Sequence, residues 1–256
     1  MRTLIIVPTH NEAANICELL DQLDAHVPDA DVVVVDDDSS DSTRALVRER
    51  MDDAGRTDGA ARLRLIERPE KRGLGDAYRE AFRLALDEGY DAVVQIDADL
   101  SHDPAALPVM LAVADQGIPV VIGSRYVPGG TVTGWPRRRT WLSRWANRYV
   151  AVMLGLAIND ATAGYRVYRA DALRTIGIDD LQASGYGFQV EMTYRAVRAG
   201  LGVVEIPIAF RDRVAGQSKM DGRVVLEAFR LVTAWGVQDL VTLHRRRRAY
   251  RTDDTR

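Results

Sequence analysis

The sequence predicts an α/β fold: a mainly parallel sheet flanked by helices. Apolar runs such as those in "TLIIVP" and "DVVVVD" are near-continuous instead of alternating, the pattern of strands buried on both faces. Segments of helical periodicity separate these runs, so the order reads β-α-β-α from the N-terminus. With 256 residues, 46% of them hydrophobic, the chain can build one sizeable core.

"TLIIVP" is the first strand, and a helical pattern follows from Asn11 to about Ala25. "DVVVVD" is the second strand; the next helix runs from Asp41 to about Met51, with Asp41 and Ser42 as cap candidates. "LRLIER", the helix "GLGDAYREAFRLALDEG", the strand "DAVVQID", a helix beginning near Pro104 and the strand "PVVIGS" continue the alternation. "DDAGRTDGAAR" reads as a surface insertion. Residues 137–156 form an amphipathic helix with Trp141, Trp145 and Tyr149 at i, i+4 spacing, and Arg137, Arg138, Arg139, Arg144 and Arg148 close by. Such a helix suits a membrane headgroup layer. Residues 1–220 read as the catalytic domain, and residues 221–256 as a C-terminal helix (about Gly222 to Leu243) and a basic tail with "HRRRR" at His244 to Arg248.

Thirty-four basic and 37 acidic residues leave a net charge of −3, which gives no electrostatic case for a nucleic-acid partner. Cys17 is the single cysteine, so an intrachain disulfide is excluded and a reducing, cytoplasmic setting is expected. The N-terminal apolar run ends at Pro8 and reads as a strand, not a leader. No stretch approaches the ~18 apolar residues that a membrane-spanning helix needs.

In open α/β sheets, ligands bind beyond the carboxyl ends of the strands. There the chain places Pro8, His10, Asn11 and Glu12, then Asp36, Asp37, Asp38 and Ser39, then Asp97 and Asp99. Asp38 has a helix-cap reading, whereas Asp103 before Pro104 already supplies a cap and leaves Asp97 and Asp99 without a structural task. Alternate side chains of an extended segment share a face, so these two carboxylates converge and repel unless a cation lies between them. A hard divalent ion, Mg2+ or Mn2+, and a phosphorylated substrate satisfy that arrangement.

"IIVPTHNEAANI", "VVVVDDDSSDST", "KRGLGDAYREAF", "QIDADLSHDP", "VIGSRYVPGG", "DATAGYRVYR" and "FRDRVAGQSKM" occur in the order found in family 2 glycosyltransferases of GT-A (Rossmann-like) fold. Over about Thr3 to Lys219 the chain resembles the dolichol-phosphate (polyprenol-phosphate) mannose synthases. The resemblance implies inverting transfer of mannose from GDP-mannose to a polyprenyl or dolichyl phosphate, on the cytosolic face of a membrane. It implies nucleoside contacts from Pro8, His10, Glu12, Val35 and Asp37, with His10 replacing the commoner tyrosine. It assigns Asp97, Ala98 and Asp99 to the metal and diphosphate, Ser101 to the metal's side, and Arg125 to a substrate contact. Arg213 and Lys219 would clamp the phosphates. Glu191 is a candidate for positioning. Because a lipid monophosphate with a second pKa near ~6 is already largely a dianion, no strong general base is required. The chain resembles forms that use surface attachment or a separate integral-membrane anchoring subunit. Two alternatives stay open: a related transferase with another nucleotide sugar, such as UDP-glucose, or a saccharide acceptor; and a non-catalytic nucleotide-sugar-binding subunit.

Overall fold

The computed structural model describes residues 1–54, 63–183, 185, 187–213, 226 and 228–241. Lys219, the "HRRRR" run and most of "DDAGRTDGAAR" lie outside the described residues.

β1 (Thr3–Thr9), α1 (Ile16–His26), β2 (Asp31–Asp36), α2 (Thr43–Ala54), β3 (Leu63–Glu67), α3 (Leu74–Asp87) and β4 (Ala92–Gln95) alternate as the sequence predicts. A 3-10 turn (Pro104–Ala106), α4 (Leu107–Asp115) and β5 (Val120–Ser124) follow. The second half adds β6 (Thr131–Thr133), α5 (Arg137–Leu154), β7 (Arg166–Arg169), α6 (Ala170–Ile176), α7 (Gly187–Arg198), β8 (Val203–Pro207) and β9 (Ala209–Arg211). Helix α1 starts later than expected, because the residues after β1 form a turn in which Asn11 has φ 58°.

Seven strands form one sheet in the order β3-β2-β1-β4-β7-β5-β8. Its first four strands are parallel, whereas β7 runs antiparallel between β4 and β5. Because β2, β1 and β4 are neighbours pointing the same way, the acid-bearing segments after them emerge along one rim.

Leu4 to Val7 and Val33 to Val35 are fully buried, as continuous apolar runs require. On one face α3 turns Ala77, Tyr78, Ala81, Phe82 and Ala85 inward at helical spacing. Tyr78 and Phe82 stack on Phe188 of α7, with centroids 5.8 and 6.3 Å away. The opposite face packs Ile16, Leu19 and Leu23 with Leu107 and Met110. Burial of each such large apolar side chain stabilises the fold by about 1.5–3 kcal/mol, enough to make the sheet a rigid base for its rim.

Residues 228–241 are helical and pack against α5 and α7. Phe229 stacks on Tyr149 at 4.4 Å and Trp235 on Tyr194 at 5.5 Å. Gly236 allows the close approach: a Cβ there would lie 2.6 Å from the Met153 carbonyl oxygen.

Candidate active site

The loops after β1 and β2 are sewn together by short polar side chains. Asn11 Oδ1 accepts from Ser40 N at 2.8 Å, and Glu12 N donates to Thr43 Oγ1 at 2.9 Å. His10 Nδ1 lies 2.8 Å from the Asp37 carbonyl oxygen, so that ring nitrogen carries the proton and donates it. Asp41 caps as expected: its Oδ1 accepts from Thr43 N at 3.0 Å, while its Oδ2 accepts from Ala13 N at 3.1 Å.

Asp36, the last residue of β2, and Asp37, just after it, are spent on structure. Burial pushes the Asp36 carboxyl up, but hydrogen bonds from Ser39, Arg44 and Thr9 outweigh it and hold the group below its ordinary range. Asp37 is 6% exposed; its Oδ1 accepts from Arg68 Nη1 at 2.7 Å and Arg72 N at 2.9 Å, and its Oδ2 from Gly73 N at 2.8 Å. Asp37 therefore shapes the turn that starts α3. Val35 is 0% exposed and its side chain belongs to the core, because it sits inside both neighbouring ladders. Pro8 and Glu12 are half-buried at the rim.

Asp97 and Asp99 differ in kind. Leu100 takes φ 58°, a conformation that a branched side chain rarely adopts, and this reversal lets Asp99 Oδ1 accept from Ser101 N at 3.1 Å. Asp99 Oδ2 lies 2.6 Å from Arg213 Nε. The Asp97 side chain keeps 34% of its surface open at the rim; desolvation of its carboxyl by the surrounding protein, then the Asp99 charge, push it up to about 7, with Glu12 adding to the rise and Arg213 and Arg125 opposing it. Ser101 and Ala98 are buried at 2% and 3%, and the Ser101 carbonyl accepts from Arg211 N of β9. Among the described residues no three His, Cys, Asp or Glu side chains group to hold a metal. The described residues present two hard carboxylates at this rim, those of Asp97 and Asp99.

His102, which the sequence reading did not single out, lies beneath this pair. It is 3% exposed, between Tyr165 and Phe210, with Nδ1 3.7 Å from Asp97 Oδ2, too long for a hydrogen bond. Burial pulls its imidazole down to about 4, so it stays neutral.

Arg125 is a buried residue, 8% exposed. Its Nε and Nη2 reach the two oxygens of Asp160 at 2.7 and 2.6 Å, and Nη2 also reaches Thr162 Oγ1 at 2.9 Å. Burial pulls this guanidinium down, and Asp160 more than restores it. Arg139 of α5 lies 4.0 Å above the Trp135 ring, which Arg125 also approaches at 5.6 Å. Asp160 was missed because one acid within "INDATAG" resembles a turn residue; its partner is 35 positions away. Glu191 is 1% exposed and accepts from Gln182 N, Ala183 N and Arg195 Nε, so its carboxylate is committed to its own loop.

A family model described as "Glycosyl transferase family 2" matches residues 4–177, well over half of the chain. The chain belongs to glycosyl transferase family 2. The transferase is 46% identical over 239 residues to an undecaprenyl-phosphate mannosyltransferase of Micrococcus luteus, covering 93% of this chain and 95% of that one. It is 43% identical over 237 residues to a polyprenol monophosphomannose synthase of Mycolicibacterium smegmatis, covering 93% and 88%. Among solved structures, it is similar in fold to the glucosyl-3-phosphoglycerate synthase of Mycobacterium tuberculosis in complex with Mn2+, UDP-glucose and phosphoglyceric acid. The TM-score is 0.65 at 20% identity, over 92% of this chain and 79% of that one. The fold is thus GT-A.

The contrast between committed and uncommitted acids gives a measurable expectation. Asp160→Ala leaves Arg125 buried without its anion and is expected to cost about 3–5 kcal/mol in urea unfolding of the metal-free transferase. Asp97→Asn removes a repulsion and is expected to leave stability unchanged or raise it. An Asp97→Asn protein as unstable as the Asp160 variant would assign Asp97 to the structural network.

Proposed function

We propose that this transferase moves mannose from GDP-mannose to a polyprenyl monophosphate, with inversion, at the cytosolic surface of a membrane. One observation carries the reading: near-full-length identity of 46% to a polyprenyl-phosphate mannosyltransferase, in a chain whose sheet rim leaves an acid pair in need of a cation.

Asp97 and Asp99 are the residues that would hold magnesium or manganese; their hard oxygen donors and mutual repulsion fit such an ion. When bound, the ion supplies charge neutralisation for the departing nucleoside diphosphate. Arg213, now paired with Asp99, is placed to turn to diphosphate oxygens once a cation takes over the acid pair. Lys219 is proposed as a second phosphate clamp. Ser101 contributes through its backbone, which fixes Asp99. The His10 and Glu12 turn, shaped by Asp37, is proposed to receive the nucleoside.

Bond cleavage at the anomeric carbon passes through an oxocarbenium-like state, and the acceptor phosphate arrives already ionised. No side chain has to take a proton from it. The commitment of Glu191 to Gln182, Ala183 and Arg195 agrees with this and weakens the saccharide-acceptor alternative, which needs a base. Arg125 and Arg139, on either side of Trp135, are proposed to face the incoming phosphate, Arg125 through the edge that Asp160 does not hold.

No helix among the described residues is long and apolar enough to cross a membrane. Helix α5 nevertheless exposes Trp141 at 67%, Leu142 at 51% and Trp145 at 43%, beside the exposed Arg137, Arg138, Arg144 and Arg148. An apolar edge fringed by guanidinium groups is suited to lie among lipid phosphates. Val237, Leu240 and Val241 extend exposed apolar surface on residues 228–241.

The function is tested by incubating the purified protein with polyprenyl phosphate, a panel of labelled nucleotide sugars and Mg2+ or Mn2+. Labelled polyprenyl phosphate mannose from GDP-mannose is expected, with Asp99→Ala folded but without metal-dependent transfer; exclusive use of another donor, or full activity of that variant, contradicts the assignment. For the membrane contact, Trp141→Ser is expected to reduce co-flotation with vesicles containing anionic lipid while the melting temperature holds. Undiminished flotation rules α5 out as the contact.

A further inference from the structure

Arg166 heads the fully buried side chains by size, and among the described residues it makes no ion pair. Its hydrogen bonds go to neutral oxygens. Nε donates to the Ala163 carbonyl and Nη2 to the Ala161 carbonyl, each at 2.7 Å. Nη1 reaches the Gln189 carbonyl at 3.0 Å, Thr193 Oγ1 at 2.9 Å and Tyr168 Oη at 3.1 Å. A buried charge without an anion costs several kcal/mol, so the geometry that keeps it needs a reason.

The reason lies in what the planar guanidinium spans. Its fork draws two carbonyls of one short loop, those of residues 161 and 163, toward the helix α7 side of the sheet. Between them, Thr162 meets Arg125 and Asn147: its Oγ1 accepts from Arg125 Nη2 at 2.9 Å and from Asn147 Nδ2 at 3.0 Å. Two residues further on, Gly164 lies against Asp97, where an added Cβ would stand 3.3 Å from Oδ2 and 3.5 Å from Oδ1. Asp160, at the head of the loop, carries the Arg125 guanidinium. In the sheet, Arg166 pairs with Gln95, two residues before Asp97, so the same side chain stands on the neighbouring strand.

We infer that Arg166 is a positioning residue for the transfer reaction, fixing the Asp97 carboxylate and the Arg125 guanidinium relative to each other through the 160–164 loop. It is enclosed beneath the rim and acts only through that loop. Lysine cannot replace it, because a single ammonium does not reproduce a rigid two-pronged donor. The inference rests on the reading of Asp97 as a cation ligand.

Mn2+ binding to the donor-free protein, followed by electron paramagnetic resonance, separates positioning from folding when it is read on Arg166→Lys, Arg166→Met and Gly164→Ala, each checked by thermal melting. Arg166 variants are expected to melt earlier, and Gly164→Ala to melt near the wild type. All three are expected to bind Mn2+ at least about tenfold more weakly, as when support to a metal ligand is lost. Lysine at this position is not expected to restore binding. Native Mn2+ affinity in the folded variants, or in Gly164→Ala alone if the others do not fold, overturns the inference, as does full restoration by lysine. Failure of the wild type itself to bind Mn2+ overturns instead the reading of Asp97.

Discussion

The structure turns on a repulsion. At the end of β4, burial resists ionisation of the Asp97 carboxyl, and the charge on Asp99 beside it adds to that resistance. A folded chain ordinarily relieves such a pair with an arginine or lysine on each acid. Here Arg213 reaches Asp99, while among the described residues Asp97 has neither a hydrogen bond nor a close ion pair of that quality. The surroundings hold this arrangement in place: Leu100 accepts a rare backbone conformation, and Gly164 leaves out a side chain where one would press on the Asp97 carboxylate.

Elsewhere the same fold pairs its acids thoroughly. Asp36 is closed off by Thr9, Ser39 and Arg44; Asp37 by Arg68 and two backbone amides; Asp160 by Arg125. These groups lose hydration on burial but regain hydrogen bonds, so they define loop shape at the rim without remaining reactive. Committed acids build the walls of the site. The uncommitted one is where the proposed cation would be held, supplying the positive charge that expulsion of a diphosphate would need. Neutral buried His102 and the committed Glu191 are not available as bases, which agrees with the proposed acceptor, a phosphate that arrives ionised.

Much of this was legible in the sequence. Continuous Val and Ile runs located β1, β2 and β5, because two-sided burial leaves no polar alternation to confuse the reading. The shared rim followed from strand ends alone. What escaped was set by long-range partners. β7 inserts antiparallel between β4 and β5, an order that no local pattern specifies. The partners that hold Asp37, Arg68 and the 72–73 backbone, lie over 30 positions away. Val35 entered only through the family resemblance, and its side chain packs in the core, which no local pattern at the strand end reveals. Arg166 and Asp160 sit in one recognised motif, though only the folded chain reveals that one grips the carbonyls of the loop that carries the other.

Proton release on ion binding is the most direct test of the acid pair. Mn2+ would be titrated calorimetrically into the donor-free protein, in buffers of different ionisation enthalpy, at pH 6 and again at pH 8. Since the Asp97 carboxyl is pushed up to about 7, it is mostly protonated at pH 6 and mostly ionised at pH 8. Nearly one proton per ion is expected to leave at the lower pH and almost none at the higher, with affinity falling as the pH drops below about 7. Binding with no proton release at pH 6 would mean that Asp97 is already ionised beside Asp99, contrary to the repulsion on which this account depends.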